Sequence, residues 1–261
     1  MNSIELEMIE LLKKMKLDYG VIELKAEFEA EGSRIEELMR LKDVASSVSL
    51  PLILKIGGAE AVTDIYNGMI LGVDGIIAPM VETDYAVSKY LDVIDNMIQP
   101  DNREFIDFSI NIETITAVQN IDKIMNLKKL NLLSSLTFGR SDFVQSLGKI
   151  KSEVNDDDIF EYVEKIALLA KENNLKFAMG GNITKNSIQF IKRLYNNNLV
   201  YKYETRKVVF ASSSINERPE EGIAHALQFE LLWLKSKRRF YSKIKKEDEQ
   251  RIQDIEKRLN G

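Results

Sequence analysis

The sequence predicts an α/β fold with a parallel sheet closed into a (β/α)8 TIM-barrel-like cylinder, and three observations predict it. Short apolar segments alternate with helical patterns through all 261 residues, in units of about 30 residues each. No break in composition divides the series, so one large domain is expected rather than two. No G-x-G-x-x-G or Walker-type glycine loop follows any of the apolar segments, which leaves the competing open nucleotide-binding sheet without its fingerprint.

The elements can be justified in order. MNSIELEMIELLKKMK opens the chain with acids inside an amphipathic helical pattern. DYGVIELKAEF (18–28) alternates like a strand, and Ser33 with Glu36 reads as a capping box ahead of IEELMRL. LPLILKI (50–56) is the next strand, followed by a helix from near Glu60 that Gly72 closes. DGIIAPM (74–80) and EFIDFSINIE (104–113) flank the helical run TDYAVSKYLDVIDNM (83–97). LLSSLTF (132–138) and LKFAMG (175–180) flank a helix opened by Asp156–Asp158. YKYETRKVVF (201–210) is the seventh strand. An eighth is either missing at the N-terminus or hidden in a 201–210 segment made of two pieces. Pro219 suits the first turn of a helix running to about Lys237. EDEQRIQDIEKRL then sets Ile252, Ile255 and Leu259 on one face. The expected organisation is a barrel over 1–216 and a helical extension over 217–261, packed on the barrel or on a neighbouring subunit.

Composition narrows the function. The chain is 44% hydrophobic and 30% charged, with net charge −5 and a pI near 5.3. That balance offers no basic surface for nucleic acid, and KSKRR (235–239) reads as a solvated helix face. The absence of cysteine excludes disulfides and thiolate chemistry. No apolar run reaches the length of a membrane span, and the N-terminus lacks a signal-peptide pattern. A cytoplasmic protein with no membrane partner is expected.

Alternation along the strands sorts their faces. Glu23, Lys25, Glu27 and Glu29 share one face of the first strand; Asp107, Ser109, Asn111 and Glu113 share one face of the fourth; Lys202, Glu204 and Arg206 share one face of the seventh. In a barrel these polar faces line the lumen, where charges must be paired or must hold a ligand or metal. Internal salt bridges account for Glu23, Lys202 and Glu204. Lys55, Glu82, Glu113 and Asp142 instead end or follow strands, at the rim where barrel enzymes place their chemistry. Glu113 and Asp142 lie one strand–helix unit apart, so adjacent strands bring both carboxylates to one rim, a donor set suited to Mg2+ or Mn2+, although acids at loop starts often serve as helix caps instead.

GVDGIIAPMVET (72–83), INIETITAVQNIDKI (110–124) and LTFGRSDFVQSLG (136–148) occur in this order. Together they resemble the HpcH/HpaI aldolase and citrate lyase β-subunit family, over roughly residues 18–148. The resemblance implies a phosphoenolpyruvate/pyruvate-type metal-dependent barrel that makes or breaks a C–C bond next to an enolate. The family's I-E-T glutamate matches Glu113 and its G-x-S-D aspartate matches Asp142, which implies that these two hold Mg2+ or Mn2+. Gly139, Arg140 and Ser141, with Asn111 in place of the family's glutamine, are then expected to meet the substrate. The sequence departs from the family pattern where an E-H pair is replaced by Glu27-Phe28 and an arginine by Lys55. The catalytic candidates are accordingly Lys55, Lys25, Glu27 and Arg206. His225, the one histidine, falls in the C-terminal helical pattern and is expected at the surface or an interface.

The first functional expectation is therefore a divalent-metal-dependent lyase or aldolase acting on a small 2-oxo acid or its aldol. A Schiff-base aldolase using Lys25 or Lys55 is the second. A non-catalytic barrel serving in binding or assembly is the third. FELLWLKSKRRFYSKI, with Trp233 and Phe240, can pack on the barrel or on a neighbour, and a homo-oligomer is expected.

Overall fold

The structure, a computed structural model, describes residues 1–260. Eight strands close in sequence order into one barrel: β1 Val21–Glu27, β2 Leu52–Lys55, β3 Gly75–Ala78, β4 Asp107–Ile112, β5 Ser135–Gly139, β6 Lys176–Gly180, β7 Lys202–Glu204 and β8 Val208–Ala211. Strands β1 to β7 pair in parallel, whereas β8 runs antiparallel to both β7 and β1. The segment 201–210 is thus two pieces, a tight hairpin that closes the barrel without an eighth crossover helix. Its turn is built by Thr205, whose hydroxyl accepts from the Val208 N–H at 3.1 Å while its own N–H donates to the Val208 carbonyl at 2.9 Å.

Helix α1 (Ser3–Asp18) precedes the barrel, and α2 (Ile35–Ser47), α3 (Val62–Leu71) and α4 (Asp84–Met97) follow β1, β2 and β3. Gly72 ends α3 at φ +62°, the left-handed conformation expected of it. The start of α2 differs from expectation by one residue. Arg34 is the N-cap, its N–H donates to Glu37, and Ser33 bonds Glu31 instead. Short helices α5 (Pro100–Arg103), α6 (Ile115–Gln119) and α7 (Ile121–Met125) lie around β4, α8 (Arg140–Ser146) and α9 (Asp157–Glu172) follow β5, and α10 (Ile188–Asn196) follows β6.

The C-terminal region is one helix, α11 (Pro219–Asn260), where two were expected. No glycine or proline interrupts 220–260 after Gly222, so nothing in the chain stops it. At about 1.5 Å per residue it spans about 60 Å. Its first half buries Ile223, Phe229, Leu232 and Trp233, while residues 242–253 are exposed. Among the described residues no helix is long and apolar enough to cross a membrane.

The outward faces of the strands, such as Leu24, Leu54, Ile76, Ile110, Phe138 and Phe177, are buried under the helices in one core. The lumen holds a small separate layer of Ile53, Ile77 and Val209. Around it sit ion pairs: Lys202–Glu23 at 2.7 Å, Lys25–Glu204 at 3.2 Å and Lys25–Glu27 at 3.4 Å.

A polar clamp ties α11 to the barrel's outer layer. Glu5 of α1 accepts from Arg40 Nε of α2 at 2.7 Å, and Ser236 of α11 lies against both, within 3.2 Å of Arg40 and 3.4 Å of Glu5. Burial alone would raise the Glu5 carboxyl. The Asn2 N–H and the Arg40 guanidinium outweigh burial and hold it below its ordinary value. Replacing Glu5 by Gln is expected to cost about 1–3 kcal/mol, because Arg40 and Ser236 lose their charged acceptor. A carboxyl held low in the folded state stabilises above the unfolded pKa of about 4.3 and loses that stabilisation as pH falls. The gap between wild type and Glu5→Gln in urea unfolding should therefore be full at pH 7 and shrink progressively below about pH 4. A gap that does not change with pH would contradict the clamp.

Candidate active site

A cavity of about 460 Å3 opens at the C-terminal ends of the strands. Small inward residues on one side make room for it. Strand β5 ends in Gly139, and β6 presents only Ala178 and Gly180, which pair alongside Thr137 and Gly139. Gly139 has a specific reason to lack a side chain. A Cβ there would lie 2.4 Å from Glu113 Oε2 and 2.8 Å from Glu113 Cβ.

Glu113 follows β4 and is buried, with 2% of its surface exposed. Its Oε1 accepts from the Met80 N–H at 2.9 Å, and its Oε2 accepts from Asn111 Nδ2 at 3.2 Å. Lys55 Nζ, at the end of β2, lies 3.4 Å from Glu113 Oε1 and 3.0 Å from Glu29 Oε2. Burial pushes the Glu113 carboxyl above its ordinary range and the Asp142 charge adds to this, while Lys55 and the Met80 and Asn111 hydrogen bonds oppose it. Asp142, in the first turn of α8, lines the same cavity and is exposed to it.

Lys25 is enclosed between Glu204 and Glu27. Burial by itself would favour the neutral amine, but the two carboxylates outweigh it and hold the ammonium well above the ordinary lysine range. Lys55 follows the same logic, raised by Glu113 and Glu29 against burial. Glu27 is held below its ordinary value because Lys25 and Lys55 outweigh burial. In the resting site both lysines are cations and Glu27 is an anion.

The expected site residues converge on this cavity with one exception. Lys25, Glu27, Lys55, Asn111, Glu113, Gly139, Ser141, Asp142 and Arg206 all line it. Arg140, expected to meet the substrate, does not. Its guanidinium is fully buried and donates to the carbonyls of Gly180, Gly181 and Val154 and to Asn155 Oδ1 and Ser187. Consecutive residues in a helical turn point about 100° apart, so Arg140 faces the β6 loop while Ser141 and Asp142 face the cavity. It locks that loop, where a Cβ on Gly181 would lie 2.4 Å from the Ser141 nitrogen. Arg206 sits at the cavity edge, bonded to Glu31 at 3.2 Å. His225 lies on α11 against the Tyr19 ring, away from the cavity. Glu204 and Glu230 line the cavity although the motifs did not mark them. Glu204 was visible in the strand alternation, but Glu230 is one acid among many on a long helix.

The donor set fits a hard divalent cation. It consists of oxygen ligands only: the carboxylates of Glu113, raised chiefly by burial and further by the Asp142 charge, and of Asp142, with the buried Asn111 Oδ1, which has no hydrogen-bond partner among the described residues. Among the described residues no cluster of three or more His, Cys, Asp or Glu forms a protein-only metal cage. Glu113 and Asp142 could hold a divalent ion only with water or substrate oxygens completing its coordination.

An eight-stranded α/β barrel with a charged, carboxylate-bearing cavity at its C-terminal rim belongs to the class of barrel enzymes. The HpcH/HpaI aldolase/citrate lyase family model matches residues 6–195, and the chain belongs to that family. The family is of aldolase and citrate lyase type, generally metal-dependent lyases. Solved structures share the fold at low identity. The citrate synthase SbnG is 20% identical with a TM-score of 0.62, covering 76% of this chain and 80% of that one. An HpcH/HpaI aldolase from Desulfitobacterium hafniense DCB-2 is 15% identical with a TM-score of 0.59, covering 74% and 79%. A family protein from Burkholderia cenocepacia J2315 is 13% identical with a TM-score of 0.61, covering 86% and 89%. No curated protein sequence matches the chain.

Gly139→Ala should displace Glu113 without unfolding the barrel, because the added methyl meets the carboxylate at the rim rather than the core. Displacement of a reacting group by about 1 Å costs on the order of 100-fold in rate. We expect a loss of that size in any turnover, with the circular dichroism spectrum retained. Undiminished activity would show that Glu113 does not need its present position.

Proposed function

We propose that the protein is a divalent-metal-dependent carbon–carbon lyase, or aldolase, acting on a small 2-oxo acid or its aldol. The observation that carries this reading is the pairing of Glu113 and Asp142 at one rim with Lys55 beside Glu113. Glu113 and Asp142 would hold Mg2+ or Mn2+. When bound, the ion supplies Lewis-acid stabilisation of negative charge on the substrate's 2-oxo group.

The chain's own groups divide the remaining work. Lys55 Nζ stays protonated between Glu29 and Glu113 and faces developing negative charge as a fixed cation. Glu27 is ionised and takes the proton from the aldol hydroxyl during cleavage, returning it in synthesis. Lys25 Nζ, 3.4 Å from Glu27 and 3.2 Å from Glu204, holds both carboxylates in place and links them. Asn111 orients Glu113 through its amide nitrogen. Phe28, which stands where the family carries histidine, packs against the hydrophobic core and leaves proton transfer to this trio. A Schiff-base route is less suited to the site, since an amine must be neutral to attack a carbonyl and both lumen lysines are held as cations.

Deuterium exchange into the methyl group of pyruvate, followed by NMR with Mg2+ or Mn2+, tests the reading. Exchange should require the metal, stop on chelation, and fall at least 100-fold in Glu113→Gln. Lys55→Met should lower it by about 100- to 1,000-fold, the usual loss for a fixed donor to developing charge. Exchange that persists in EDTA would sink the metal-dependent reading.

A further inference from the structure

Helix α11 carries a second apolar face besides the one it packs on the barrel. Ile223, Phe229 and Trp233 are buried against the barrel. Leu227, Leu231 and Leu234, and further along Ile252, Ile255 and Leu259, are all exposed, Ile255 least at 41%. Within each group the spacing alternates between three and four residues, the a/d repeat of a coiled coil. The two groups share one register, which runs between them through Arg238, Tyr241, Lys245 and Asp248. A straight helix drifts by about 20° per heptad from such a repeat, and winding around a second helix removes the drift. The whole of α11 lies beyond residues 6–195, which the family model matches.

The stripe is also symmetric about Lys243. Leu234 and Ile252, Leu231 and Ile255, and Leu227 and Leu259 each stand equally far before and after that residue. A two-fold interface requires such a relation, because residue i must meet j while j meets i. The charges obey it too. An antiparallel copy sets Arg238 opposite Asp248 of the partner subunit in the seam. On the flanks it sets Lys235 near the partner's Glu249 and Glu230 near the partner's Arg258. Ile244, exposed in one chain, meets its own copy beside the axis. Parallel pairing would instead set Arg238, Lys245 and Asp248 each against itself, three like-charge contacts. The antiparallel arrangement leaves one like-charge flank, Lys237 near the partner's Arg251, and there Lys237 already has Glu37 at 2.8 Å.

We propose that α11 pairs antiparallel with α11 of a second copy of this chain, about a two-fold axis at Lys243. Each helix keeps its first half on its own barrel and lays its projecting half along the exposed face of the other. Leu227 and Glu230 also line the cavity at the strand ends. The tail of one subunit therefore lies along the rim of the other's cavity. The pairing stands on the helix alone and does not depend on the lyase reading.

The chain has no cysteine, so introduced thiols report on this contact without background. Full-length chains carrying Leu234→Cys and Ile252→Cys, differently tagged and co-expressed, should form a mixed disulfide on oxidation. Either variant alone should give at least tenfold less cross-link. Arg238→Asp, added to both chains, should lower the mixed yield at least tenfold by facing the partner's Asp248 with a like charge. Adding Asp248→Arg as well should restore it, a rescue that a general loss of helix would not allow. Circular dichroism checks that these exposed substitutions leave the fold intact. A disulfide in Leu234→Cys alone means parallel pairing and overturns the proposal. So does the absence of cross-link in every combination, or a yield indifferent to Arg238→Asp. A wild-type sedimentation mass of one chain, 29.9 kDa, also overturns it and leaves the stripe to a helix of another protein.

Discussion

The charged lumen is the constraint on which the rest of the structure depends. A closed barrel takes inward side chains out of water, and an unpaired charge there costs several kcal/mol. Each inward ion must therefore find its opposite on another strand. Glu23 pairs with Lys202, and Lys25 with Glu204, across β8. That geometry demands a short, apolar intervening residue, and β8 supplies Val209, which stands in register with both Glu204 and Glu23. The antiparallel hairpin is thus more than a way to complete the cylinder. It brings the charges of β7 within reach of β1 while contributing none of its own to the lumen floor.

Pairing at the floor leaves the rim with the surplus. Lys55 is shared between Glu29 and Glu113, and Asp142 has no ion pair among the described residues. Negative charge therefore accumulates where α8 begins, and burial of Glu113 makes it costly to hold. A site arranged this way is poised for a cation, and its fixed ammonium groups are poised for an anion beside it. On the proposed reading the two demands meet in a chelating acid, which would bring negative oxygens to a metal and to Lys55 together. Electrostatics that would only strain an empty barrel become complementary to a transition state with charge on an oxygen.

How much of this was legible varies with the kind of physics involved. Two-residue alternation exposed the polar faces of β1, β4 and β7, and with them Lys25, Glu27, Asn111 and Glu204, half of the cavity residues that the strands supply. The hairpin was harder. β7 has three residues, and its turn uses the Thr205 hydroxyl in place of the glycine or proline that marks turns in sequence. Arg140 was misleading because adjacency in a motif does not survive a helical turn; it and Asp142 diverge. Glu230 was hidden because a helix that reads as an extension also forms part of the cavity wall. The expectation divided the single 42-residue helix near Lys237, although helix propensity carries it on without a break.

Two departures from the family pattern are coupled by this geometry. A lysine in place of arginine loses the planar fork that fixes a carboxylate in two directions. Here Glu29 and Glu113 restrain Lys55 from two sides, so protein contacts replace the rigidity that the guanidinium would have carried. The missing histidine has a parallel consequence. Phe28 is turned toward the core, and the nearest lumen group on the same strand is Glu27, kept ionised by Lys25 and Lys55. A carboxylate held low is a weaker base than imidazole near neutral pH, so on the proposed reading it needs a substrate hydroxyl already acidified by its surroundings. The same lysine that replaces the arginine also lowers Glu27. The two positions therefore act on one electrostatic system, in which Lys55 is held by Glu29 and Glu113 and, with Lys25, keeps Glu27 ionised.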